Sequence, residues 1–236
     1  MMMTILHEGA HASTAFMLGV PSTLFSYSVD HRFTQAQLVT WRPAVIAVAG
    51  PTFCLVLGVL AWFAYKRARG SRGELPLLYF SALGVGTFFG NLVSISFVGD
   101  FSQAAARLGL PMTLRYLGSA LGALGTVGVQ LWLGRELVGF VPENLSRVGR
   151  ALGVIVVPVV VATLVVILVN QPMREGFVSA RIGEAAFSLF AIVAAWLAGN
   201  KSDRPGPLKV QWVDVVAMVV AVTIVRVATR GIDFIP

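Results

Sequence analysis

The chain has 236 residues, 56% of them hydrophobic and only 12% charged, and its mean hydropathy is +0.80. Soluble domains carry about twice that charged share, so an ordinary soluble domain is excluded, and no stretch is left over for a second one. The formal charge of +7 falls in short connections between apolar runs, where it reads as positive-inside topology and headgroup contact. No basic stretch is interleaved with stacking aromatics, which excludes a nucleic-acid binder.

The first apolar stretch, residues 3–19, reads MTILHEGAHASTAFMLG and contains His7-Glu8-Gly9-Ala10-His11. On a helix, His7 and His11 project from one face, a turn apart. Two imidazoles at that spacing can bind one Zn²⁺, and Glu8 beside them can handle the proton of an attacking water. The bland alternative is a pair of core histidines with satisfied hydrogen bonds, but two His and a Glu in an apolar helix are expensive without a metal. Six residues of helix ahead of His7 cover only about 9 Å, and Met1-Met2-Met3 leaves open whether the natural start lies upstream. No cleavable signal peptide is visible, because this stretch lacks a basic lead and carries the motif itself.

Residues 21–42 are too polar to span. Within them, 23–29 and 37–41 are expected as two short strands around Asp30-His31-Arg32, an edge free to pair with another chain; an irregular surface loop is the equal alternative. His31 reads as a solvated turn residue and not as a ligand. A second span is expected over 43–65, with Ala49-Gly50-Pro51 near its start. There Gly50 permits close helix approach and Pro51 bends the backbone. Cys54 is the only cysteine, so no intrachain disulfide is possible, and its neighbours suggest a small apolar filler. Lys66, Arg67, Arg69 and Arg72 against Glu74 mark the best candidate for a cytoplasmic loop.

A third span begins near Leu77, with Gly86-x-x-x-Gly90 as an expected contact stripe. It then acquires Asn91, Ser94, Ser96 and Asp100, the pattern of a helix that breaks at membrane depth. An acid there is a functional candidate by default; an ordinary loop acid is the alternative. Four more spans are expected at about 115–140, 151–169, 182–198 and 210–228. The first carries Gly118-x-x-x-Gly122 and the second a kinking Pro158. Glu184 and Asp214 lie near span ends, where interfacial snorkelling explains them. The expected fold is an all-α polytopic membrane protein of about seven transmembrane helices, with a small membrane-associated strand element after the first.

His7-Glu8-x-x-His11, Gly19-Val20-Pro21, Ala49-Gly50-Pro51 and the Asn91…Asp100 element together resemble the core of the site-2 proteases, intramembrane zinc metalloproteases. The resemblance covers residues 1–105, a three-span catalytic core; 106–236 would be further transmembrane helices of the same bundle. That family usually has a Pro three residues after its Asn, and an Asp-Gly pair with the Asp eight after it. Here Ser94 stands at the Pro position, Asp100 falls nine after Asn91, and the order is Gly99-Asp100. The resemblance implies His7, His11 and Asp100 as Zn²⁺ ligands, Glu8 as catalytic base and Asn91 as a holder of the substrate strand. It also implies a membrane-spanning protein substrate and a multi-pass protein of the cell membrane. Two rivals stay open: a non-catalytic polytopic scaffold, and a cation transporter using the same His/Asp cluster. Orientation and oligomeric state are not legible.

Overall fold

Residues 2–140 and 212–236, with a few positions between them, are described by the computed structural model. Helix predominates, at 74%, as the apolar runs demand: a backbone in hydrocarbon must satisfy its own hydrogen bonds. Helix α1 spans Met2–Met17 and buries Met3, His7, His11 and Ala15, one residue per turn along a single stripe. It stops where Gly19 takes φ +72°. There the Gly19 and Val20 amides reach back to the Phe16 and Ala15 carbonyls, the paired closure that a left-handed glycine makes possible.

Strand β1 (Ser22–Leu24) and strand β2 (Val29–His31) follow as an antiparallel hairpin, with Ser22 opposite His31 and Leu24 opposite Val29. The turn is therefore at residues 25–28, and Asp30 and His31 lie within a strand, not at the turn expected of them. The second expected strand, 37–41, is not one. Helix α2 occupies Gln35–Leu38, started by a reciprocal capping box in which Thr34 and Gln37 bond each other's backbone amides. That local pair outweighs the strand propensity of Val39–Trp41.

Among the described residues, three helices are long and apolar enough to cross a membrane: α3 (Arg42–Arg67), α4 (Glu74–Val93) with its continuation to Ser96, and α6 (Met112–Val138). They correspond to the second, third and fourth expected spans. At 16 residues, α1 is about 24 Å long, short of a full crossing. The expected spans at 151–169 and most of 182–198 lie outside the described residues. Over the last expected span runs α7, Trp212–Ala228, followed by strand β3, Ile232–Phe234. That strand pairs antiparallel with the other edge of β1, giving the sheet order β2-β1-β3. Sequence reading did not anticipate it.

Close helix packing uses particular glycines. A Cβ on Gly58 would stand 2.6 Å from the Val85 amide, and one on Gly84 2.6 Å from the Cys54 carbonyl, so α3 and α4 touch backbone to backbone. Gly122 likewise seats α6 against the backbone around Leu92 and Val93. The expected stripe Gly86/Gly90 does not serve this purpose: nothing lies within 4 Å of a Cβ at Gly90, and only Val129 at Gly86. Tyr65, Leu78, Val129, Leu133 and Leu137 form the main apolar core between these three helices.

Beyond Val93 the helix tightens into a single 3-10 turn, Ser94–Ser96, and then breaks. Gly99 holds φ +107° and ψ −172°, a region essentially closed to other residues; a Cβ there would also press to 3.0 Å from Ser94 Oγ. Helix α5, Asp100–Arg107, starts immediately afterwards. Ala104 packs with Ala44 and Ala47 of α3, so the break turns the chain back beneath α3 and carries Asp100 towards α1.

Candidate metal centre

Two elements converge at one point, α1 with His7 and His11 and α5 with Asp100. His7 Nε2 lies 2.8 Å from Asp100 Oδ2 and 3.1 Å from His11 Nε2, and His11 Nε2 lies 3.4 Å from Asp100 Oδ2. Residues 93 positions apart in sequence therefore aim three ligating atoms at a common centre. Tetrahedral zinc with bonds of about 2.0–2.1 Å needs its ligand atoms about 3.3 Å apart, and these three atoms fall close to that triangle. Two nitrogens and a carboxylate oxygen also suit the chemistry of a catalytic zinc, which keeps a fourth position open.

The groups behind the two rings fix how they face the common centre. A backbone carbonyl only accepts, so the 2.6 Å contact between His11 Nδ1 and the Ile46 carbonyl makes Nδ1 the donor and leaves the lone pair on Nε2. At His7, Nδ1 faces Cys54 Sγ at 3.6 Å, and that sulfur lies 4.0 Å from the Met3 carbonyl. Support of the far ring nitrogen is what orients a metal-ligating histidine. Gly50 provides the space: a Cβ there would stand 2.8 Å from His7 Nε2 and closer still to His11 Nε2.

The site has one accessible side. His7 and His11 are 7% and 5% exposed, whereas the Asp100 side chain is 23% exposed. Glu8, half-buried on α1, lies within electrostatic reach of His7, His11 and Asp100. It is not one of the three converging residues.

Asn91 lies in the last turn of α4, its Nδ2 donating to the Thr87 carbonyl at 3.1 Å. Its Oδ1 faces Gly99, 3.7 Å from where a Cβ would be, so it stands at the break that aims Asp100. Ser94, at the position where the resemblance expects Pro, donates from Oγ to the Asn91 carbonyl at 2.9 Å. His31 is outside the ligand group. Its ring packs against Phe33 and its Nδ1 is buried without a partner; burial first, and then the charge of His11, push its pKa down to about 4.

Sequence reading missed three contributors: Cys54, the Ile46 carbonyl and the space at Gly50. Gly50 was legible as a close-approach glycine, though not what approaches it. A backbone carbonyl leaves no mark in a sequence, and Cys54 is a small apolar residue by composition. Comparison with family models, with curated proteins and with solved structures finds no match to this chain.

Proposed function

We propose that the chain is a membrane-embedded zinc endopeptidase that cleaves membrane-spanning protein substrates. The observation that carries this reading is the convergence of His7 Nε2, His11 Nε2 and Asp100 Oδ2 beside Glu8. Zinc, when bound, acidifies water and polarises a peptide carbonyl. His7, His11 and Asp100 would hold it, with Ile46 and Cys54 fixing the two rings. Glu8 accepts the proton of the attacking water and returns it to the departing amine, a role that needs a carboxylate close to the ligands but free of them. The Asp100 side provides entry for an extended segment. Among the described residues the outer edge of β2 has no strand beside it, and an unwound substrate could pair there. Asn91, at the break, is the proposed contact for that segment.

The test is cleavage of candidate single-pass membrane proteins by the purified chain, comparing wild type with Glu8→Gln. General-base loss should lower the rate by about 10²–10⁴-fold with metal content unchanged. Equal cleavage by the two proteins would overturn the assignment and return weight to a scaffold or a transporter.

A further inference from the structure

The end of α2 and the end of α5 meet at one elbow. Arg107, the last residue of α5, donates from Nη1 to the carbonyl of Leu38, the last residue of α2, at 2.8 Å. The residue after each of them holds a large apolar side chain in the open: Val39 is 86% exposed and Leu108 62%. Trp41, immediately before α3, is 58% exposed. On a spanning helix such exposure is ordinary lipid contact. These three residues stand outside the spans, where a cluster of exposed apolar side chains marks an interaction surface.

The charge around the cluster has one sign. Arg42 and Arg107 flank it, and Arg115 lies in the first turn of α6 with its Nε on the Leu110 carbonyl. No Asp or Glu occurs in residues 31–73 or 101–135. Among the described residues, none of these three arginines is ion-paired. The starts of α3 and α6 add positive partial charge, and neither has an acid in its first turn.

The surroundings of the elbow select a bilayer as its partner. Val45, one turn into α3 from Trp41, and Met112, at the start of α6, are exposed as well. The apolar surface therefore continues from the elbow into two spans. Arg42 and Arg67 bound α3, and their 25 intervening steps cover about 37 Å of helix, close to the 40–45 Å or so between headgroup layers. Tryptophan beside arginine is also the composition of the membrane interface. We infer that the elbow is seated in the headgroup layer of one leaflet and binds anionic phospholipid. Val39, Trp41 and Leu108 enter the acyl boundary, and Arg42 and Arg107 meet phosphate oxygens in charge-assisted hydrogen bonds. A basic surface without acids is drawn to a net-negative leaflet more than to a zwitterionic one. The inference is independent of the proteolytic reading.

Electron paramagnetic resonance tests the seating, with nitroxide labels on Val39→Cys and Leu108→Cys in the full chain. The protein is held in nanodiscs of phosphatidylglycerol and phosphatidylcholine; the native Cys54 is buried and out of reach of the label. Dissolved oxygen should relax both labels more than a water-soluble nickel chelate does. Greater relaxation by the chelate would place the elbow in water, and shielding from both reagents would show that protein covers it; either result overturns the inference. Native mass spectrometry tests the headgroup. Phosphatidylglycerol should bind more tightly than phosphatidylcholine of identical acyl chains. Arg42→Gln should cut that preference about fivefold, the contribution of one arginine at an anionic surface. Equal binding of the two lipids by the wild type, or an undiminished preference in Arg42→Gln, would overturn the inference.

Discussion

His11 Nδ1 lies 2.6 Å from the carbonyl oxygen of Ile46, and that one contact determines which face of the ring can bind a metal. The carbonyl cannot donate, so Nδ1 keeps the proton and Nε2 turns its lone pair to His7 and Asp100. A main-chain atom of α3 thereby orients a candidate ligand on α1.

The ligand set predicts a contrast between variants. Purified protein should hold one zinc per chain. His7→Ala, His11→Ala and Asp100→Ala should each lose it, while Glu8→Gln and His31→Ala should keep it. Metal analysis after dialysis against a weak chelator measures this without any substrate. Full occupancy in His11→Ala would show that the ligands are misassigned.

Gly50→Ala separates space from chemistry. Alanine is favoured over glycine in a helix by about 1 kcal/mol, so the helix itself should not suffer. The added methyl group nevertheless points at both Nε2 atoms. The expected outcome is a folded protein, with unchanged helical circular dichroism, that no longer takes up zinc. Normal zinc uptake would show that the two rings are not confined by α3.

Cys54 is expected to act through His7. A thiol both donates and accepts, so it can face Nδ1 in either tautomer. Cys54→Val removes that partner and should weaken metal binding about 10- to 100-fold, the usual cost of losing support behind a ligand. Cys54→Ser should restore most of it. If valine and serine bind zinc equally, the cysteine only fills space.

His31 predicts a dependence on pH. Its pKa is about 4 in the folded protein against about 6.5 in an unfolded chain. Between those values the unfolded state binds more protons, so stability falls as pH is lowered through that window. Thermal unfolding in detergent from pH 7 to pH 4 should show the decline, and His31→Asn should flatten it. An identical slope in the variant would place the proton uptake elsewhere.

The legible parts of the site were those written locally. His7, Glu8 and His11 fall within five positions of one helix, where spacing alone determines their geometry. Asp100 was legible as an acid at a break, but its aim depends on the backbone of Gly99 and on the packing of Ala104 against α3. The strand expected over 37–41 failed for the opposite reason: Thr34 and Gln37, just outside or at its edge, make a stronger local bond than strand propensity provides. Gly86 and Gly90 have the right spacing for close packing, yet they face away from tight contacts that Gly58 and Gly84 make instead. Spacing indicates that two residues share a face, not which neighbour the face meets. β3 is three residues long, too short to display a period, and its partner is far away in the chain.

That distance bears on how the molecule is assembled. Thr23 Oγ1 donates to Asp233 across 210 positions, and Arg32 reaches the same carboxylate at 3.1 Å. Both contacts are exposed, and such pairs are worth about 1 kcal/mol or less each; the pairing of β1 with β3 is a weak clasp between segments 210 positions apart. Its closure must wait for synthesis of residues 232–234. Until then β1, which leads directly out of the histidine helix, offers an open edge at a membrane full of other nascent chains. A ribosome stalled before residues 232–234 are made would leave that edge of β1 without β3.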